Sequence, residues 1–140
     1  MPKLHFLGTG ASLSDAHRTT TMLALTDPAG TLLIDCGGDV IQRVLAAGLG
    51  IGSIHGLILT HEHPDHVGGF ALFMEKLFVA GTHQTIPVYG PEPALDQARR
   101  CFAAYDTSRW IGLPEIQWRP CDDLVLDNAS WRITAAPVKH

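Results

Sequence analysis

No stretch of the 140 residues is long and apolar enough to cross a bilayer as a helix. The most apolar run after the N-terminus, Val67 to Ala80, carries Glu75 and Lys76 in its middle, and a spanning helix needs about 20 predominantly apolar residues. The opening Met-Pro-Lys-Leu-His-Phe-Leu-Gly-Thr-Gly is too short and too broken to serve as the apolar core of a signal peptide. Neither membrane association nor secretion is expected, and the chain reads as cytoplasmic. Cysteine is scarce: Cys36, Cys101 and Cys121 are an odd number at wide spacings, which suits reduced thiols better than a disulfide framework and makes no zinc ribbon or CxxC pair. Basic excess is also missing, with ten Lys and Arg against fourteen Asp and Glu and a net charge of -4. RNA as a partner therefore draws no support from overall charge, and the adjacent pair Arg99-Arg100 reads as a solvated helix face. Internal repeats, low-complexity segments and Gly/Ser/Pro linkers are absent, which leaves one domain over residues 1–140, large enough to bury a core.

What is present is an alternation of strand and helix patterns. Lys3 to Leu7 alternates polar with apolar and is halted by Gly8-Thr9-Gly10. Thr21–Thr26 and Thr31–Asp35 flank Asp27-Pro28-Ala29-Gly30, whose Pro and Gly suit a type I turn, so the two runs predict a hairpin. Asp39 can cap a helix whose face is Val40, Ile41, Val44 and Leu45, with Gly48 to end it. Gly56 to Thr60 reads as a strand buried on both faces. Helices follow at about 69–78 and 93–104 around a strand at 86–89, and strand patterns return at Ile116/Trp118, 124–126 and 131–134. Strands interleaved with helices make the fold class α/β.

The chemistry concentrates in Thr60-His61-Glu62-His63-Pro64-Asp65-His66, which sets four metal-ligating side chains within six residues, directly after the buried strand. In an extended loop residues two apart point the same way, so His61 and His63 reach one ion while Asp65 and His66 turn toward a second position. Imidazole and carboxylate without thiolate suit zinc first, manganese or iron second. Pro64 stiffens the loop, and Gly68-Gly69 let the backbone pass close to the metal. The zincin pattern HExxH fails, because position 65 is Asp and not His. Isolated histidines, His5, His17, His55 and His83, read as surface or packing residues, with His17 alone able to face the site from the loop after Gly10.

The run His61-x-His63-x-Asp65-His66 after Leu-Ile-Leu-Thr resembles the signature of the metallo-β-lactamase superfamily. Phe6-Leu7-Gly8-Thr9-Gly10, Leu32-Leu33-Ile34-Asp35-Cys36-Gly37 and Val88-Tyr89-Gly90-Pro91, in that order, look like its ribonuclease Z and phosphodiesterase branch. Ribonuclease Z itself usually has Gly where this chain has Pro64 and a different stretch at Val67-Gly68-Gly69-Phe70, which points away from tRNA processing and toward a general ribonuclease Z-like hydrolase. The resemblance implies the αββα sandwich of that superfamily, here its N-terminal half plus the first strands beyond, so the domain is incomplete at its C-terminus.

Carried over by position, the resemblance implies that His61 and His63 bind one zinc, that Asp65 and His66 bind a second, and that Asp35 supports the metal loop from behind. It adds His140, in the context Ala136-Pro137-Val138-Lys139-His140, as a third ligand to the first ion. It also implies a further Asp and His beyond His140, without which the second ion is short of ligands. Zinc lowers the pKa of a bound water from about 15.7 toward about 7, and Asp65 is the residue to position that water. The expected function is a zinc-dependent hydrolase, a phosphodiesterase of the ribonuclease Z type acting on a phosphodiester or another small molecule. The alternative is an incomplete or non-catalytic metal-binding version of the same fold. A homodimer is one way to cover the sheet face that half a sandwich leaves bare.

Overall fold

The computed structural model describes residues 1–139, so His140 lies outside the described residues. Six strands form one sheet in simple sequence order: β1 (Lys3–Gly8), β2 (Met22–Asp27), β3 (Gly30–Ile34), β4 (Ile54–Ile58), β5 (Ile86–Gly90) and β6 (Ile116–Pro120). β1, β2 and β3 pair antiparallel with one another, and from β3 to β6 the pairing is parallel. The expected hairpin joins β2 to β3, where the Asp27 carboxylate accepts the amides of Ala29 and Gly30 and the backbone turns at Gly30 with φ 140°. A separate antiparallel pair, β7 (Leu124–Asp127) and β8 (Arg132–Thr134), completes the strands.

Parallel pairing requires crossover chains, and helices supply them. Between β3 and β4 lies α1 (Val40–Ala46), capped as expected by Asp39, whose carboxylate accepts the Gln42 amide. Between β4 and β5 lie a single turn, α2 (Pro64–Val67), and α3 (Phe70–Val79); between β5 and β6 lies α4 (Glu92–Ala103). Alternation along the strands sorts side chains to two faces. Leu33, Leu57, Leu59 and Val88 pack under Val40, Val44, Phe70, Phe73, Met74, Leu77 and Leu95 in the main core. Leu25, Leu32 and Ile58 point the other way and meet Val125, Leu126, Trp131 and Ile133 of the β7–β8 pair. That second layer covers the middle of the outer face but not its β1 edge, where Leu4 is 49% and Phe6 67% exposed.

Because β3, β4 and β5 are parallel and in register through Ile34, Ile58 and Tyr89, their C-terminal ends finish side by side. Each is followed by a loop at that same edge, the place where open α/β sheets hold their ligands.

Candidate metal centre

The loop after β4 carries His61 to His66, and the loop after β3 carries Asp35. Asp35 is 3% exposed and has φ 62°, a left-handed conformation that Asp tolerates better than most residues. That backbone turn, secured by its amide on the Ile58 carbonyl at 2.8 Å, brings the carboxylate under the neighbouring loop. Oδ1 accepts the Thr60 amide at 2.8 Å; Oδ2 accepts the Thr60 hydroxyl at 2.8 Å and His66 Nδ1–H at 2.7 Å. A buried carboxylate with its acceptor sites filled in this way fixes two segments far apart in sequence.

The sequence reading of His61 to His66 as wholly extended is corrected here. Pro64 opens α2, where its missing amide costs nothing, and the amides of His66 and Val67 both donate to the His63 carbonyl at 3.0 and 3.1 Å. The turn brings the His66 ring back to the His61 ring, centroids 4.0 Å apart, while His61 and His63 meet edge to face at 4.7 Å. His66 Nε2 faces Asp65 Oδ2 at 3.3 Å. Gly68, Gly69 and Gly37 admit close approach of protein backbone. A Cβ on Gly69 would fall 2.5 Å from the Cys36 carbonyl oxygen, one on Gly68 2.5 Å from that of Pro64, and one on Gly37 1.7 Å from that of Asp65. The two loops are laced together by Cys36 N–H to the His66 carbonyl and Gly69 N–H to the Cys36 carbonyl, both 2.8 Å.

The structure thus brings His61, His63, Asp65, His66 and Asp35 together. His17 is elsewhere, exposed in a polar hollow of about 370 Å³ with Asp15, Arg18, Asp39 and Arg43 that includes no residue of the histidine loop. His5 bonds Thr26 Oγ1 and His83 the Gly112 carbonyl, as packing histidines do. Cys36 lies close behind the site, yet burial, followed by the charge of Asp35 and then Cys101, pushes its thiol well above the ordinary range, so it makes a poor ligand. Sequence reasoning missed Thr60, which touches both Asp35 and His61 Nδ1, the latter at 3.0 Å. Its position between the buried strand and the first histidine was the available signal. Beside His61 and Thr60 opens a mainly apolar hollow of about 560 Å³, bounded by Ile34, Ile58, Pro91, Cys121, Ile133 and Val138.

Among the described residues, no group of three or more His, Cys, Asp or Glu is gathered so as to hold one ion. A division into His61 with His63 and Asp65 with His66 asks only two ligands per ion of these residues. The donor chemistry fits zinc: neutral imidazoles and a carboxylate on a braced loop, with the His66 ring held from behind through Nδ1 so that Nε2 faces its neighbour Asp65.

Comparison with known proteins agrees with this architecture. The sequence profile described as "Anti-Pycsar protein Apyc1" matches residues 2–98, a stretch that contains Asp35, Thr60 and the whole histidine loop. Ribonuclease Z of Methanothermobacter thermautotrophicus is 27% identical over 143 aligned positions, taking in 100% of this chain and 45% of that protein. Ribonuclease Z of Picosynechococcus sp. is 29% identical over 140 positions, with 99% and 44% covered. Human tRNase Z, short form, superposes with a TM-score of 0.71 at 25% identity over 86% of this chain and 44% of that one. A diphosphatase of the PhnP family shares the fold with a TM-score of 0.72 at 19% identity, over 96% and 56%. The chain spans a little under half the length of the ribonuclease Z relatives it matches. It belongs to the Apyc1 family, within the ribonuclease Z-like branch of the metallo-β-lactamase superfamily.

Proposed function

We propose that this chain carries the metal-binding part of a zinc-dependent hydrolase, a phosphodiesterase resembling ribonuclease Z. The observation that carries the reading is the convergence of three imidazoles and a carboxylate, rings 4.0 and 4.7 Å apart, over a buried Asp35 at the ends of three parallel strands. His61 and His63 would hold one ion, with His140 added by the family resemblance, and Asp65 and His66 would contribute to a second. Zinc at such a site supplies a Lewis acid and a water whose pKa falls from about 15.7 toward about 7. Asp65 is the residue that would position that water and accept its proton. Asp35 accepts hydrogen bonds from Thr60 and His66, which orients the ring of His66, while the mainly apolar hollow of about 560 Å³ beside His61 offers room for a substrate. Manganese or iron at the same ligands would serve the same role.

A phosphodiester substrate agrees with the relatives named ribonuclease Z and tRNase Z, and a net charge of -4 favours a small substrate over a long nucleic acid. A second reading, a metal-binding module without turnover, is favoured by one observation: among the described residues no three His, Cys, Asp or Glu are gathered so as to hold one ion.

Zinc per chain, measured by elemental analysis beside hydrolysis of bis(p-nitrophenyl) phosphate, separates the two. Close to two zinc ions, with turnover that disappears in His63→Ala, supports the phosphodiesterase. One ion or none, with no turnover after added zinc or manganese, rejects it in favour of the second reading.

A further inference from the structure

We infer that Thr60 is a positioning residue that fixes the tautomer of His61, relaying the negative charge of Asp35 onto that ring through its hydroxyl. The argument is a count of protons. A carboxylate accepts and never donates, and a threonine hydroxyl has one proton and two lone pairs. Thr60 Oγ1 lies 2.8 Å from Asp35 Oδ2, so its single proton is committed to Asp35. The same oxygen lies 3.0 Å from His61 Nδ1 and has only a lone pair left for it. The proton of that contact therefore sits on His61 Nδ1, and Nε2 carries the lone pair of the neutral ring.

His66 reaches the same state by the direct route, since its Nδ1 lies 2.7 Å from the same Asp35 oxygen. One buried carboxylate thereby sets two imidazoles to Nδ1–H, one directly and one through a hydroxyl. Free histidine prefers the opposite tautomer, with its proton on Nε2, so the relay works against the intrinsic preference. The Thr60 amide goes to the other carboxylate oxygen, Oδ1, at 2.8 Å, so the bridge from Asp35 to His61 Nδ1 runs through the hydroxyl.

The tautomer does not depend on the zinc reading. Its consequence for metal does, because an ion bound by these two neutral rings would then meet Nε2 and not Nδ1. Thr60 is exposed, so Thr60→Val, which keeps the shape and the amide and removes only the hydroxyl, is not expected to compromise folding. Thr60→Ser keeps the hydroxyl and is the rescue.

The test reads the ring nitrogens by long-range ¹H–¹⁵N correlation on metal-free, histidine-labelled protein at pH 8, above the ordinary imidazole pKa of about 6.5, with zinc affinity by chelator competition alongside. In wild type and Thr60→Ser, His61 is expected to show the Nδ1–H pattern. Thr60→Val is expected to move it toward Nε2–H while His66 stays unchanged, and to weaken zinc binding about 10- to 100-fold, as loss of a supporting hydrogen bond does elsewhere. An unchanged His61 pattern in Thr60→Val overturns the relay. A changed pattern with undiminished zinc affinity overturns its role in positioning. Failure of the wild-type chain to bind zinc would count against the proposed function, and the tautomer comparison would still decide the relay.

Discussion

Gly37→Ala tests whether the contact between the two loops builds the site. A Cβ at position 37 would lie 1.7 Å from the Asp65 carbonyl oxygen, 2.1 Å from its carbon and 2.8 Å from the His66 amide nitrogen, whereas real Cβ contacts under 3.0 Å are essentially unknown. The obstacle is main chain, so no rotamer relieves it, and the backbones must part by more than an ångström. Parting them strains or breaks the bonds from Cys36 N–H to His66 and from Gly69 N–H to Cys36, both 2.8 Å. Overpacking costs about 1–3 kcal/mol and each lost hydrogen bond about 0.5–1.5 kcal/mol, which together give about 2–6 kcal/mol. Against a typical domain stability of about 5–15 kcal/mol, many outcomes in that range leave a folded protein. Urea unfolding of the metal-free chain, followed by tryptophan fluorescence, measures the loss. Gly52→Ala is the control: nothing lies within 4 Å of its Cβ, and its effect should stay within about 0.5 kcal/mol. The displaced loop should also lose zinc affinity by at least tenfold, because a ligand set tolerates misplacement of only about 0.5 Å. Gly37→Ala that unfolds like Gly52→Ala and binds zinc like wild type would refute the reasoning, and the glycine would then be incidental.

Three further outcomes follow from the same geometry. Asp35→Ala should destabilise the metal-free chain more than Asp35→Asn does. Alanine leaves the Thr60 amide and His66 Nδ1–H without their acceptor, at about 1–3 kcal/mol each, and tolerates φ 62° poorly, while asparagine keeps one acceptor oxygen and suits that backbone; equal losses in urea unfolding would contradict this. Asp39 is held below the ordinary carboxylate value of 3.8: partial burial pushes it up, but the hydrogen bond from Lys76, the Gln42 amide and the Lys76 charge outweigh that. A carboxyl whose pKa is lower folded than unfolded contributes stability that is full above 3.8 and lost as pH falls through the folded value. Wild type should therefore lose stability relative to Asp39→Asn below about pH 4, by about 1 kcal/mol or less at so exposed a pair, and parallel pH curves for the two would reject the linkage. Phe6→Ser should leave the unfolding midpoint nearly unchanged, since Phe6 is 67% exposed, and should reduce any self-association seen by analytical ultracentrifugation; an unchanged sedimentation profile in a chain that does associate would put the contact elsewhere.

Much of the fold could be read from local pattern, because the local signals and the tertiary environment agree. Alternation at Lys3–Leu7, the Asp27–Gly30 turn and the Asp39 cap each match an element to within a residue or two. Gly56 was expected to start a strand that in fact begins at Ile54, two residues earlier, because β3 pairs with it from Thr31 onward and pairing, not local hydrophobicity, sets the boundary. At the site, the ligand types were legible and their arrangement was not. The pattern His-x-His-x-Asp suggests period two, but Pro64 at the first position of a helical turn overrides it, and the turn is what sets the His66 ring against His61. Asp35 was expected behind the loop only through a family resemblance, and Thr60 and Gly37 were not singled out at all. Their roles depend on β3 and β4 lying side by side, which puts Thr60 against a carboxylate 25 positions away and His66 against one 31 away. No window along the chain spans that distance. The candidate ligand residues were therefore visible as chemistry, whereas those that brace them became visible only once parallel pairing had set β3 and β4 in register.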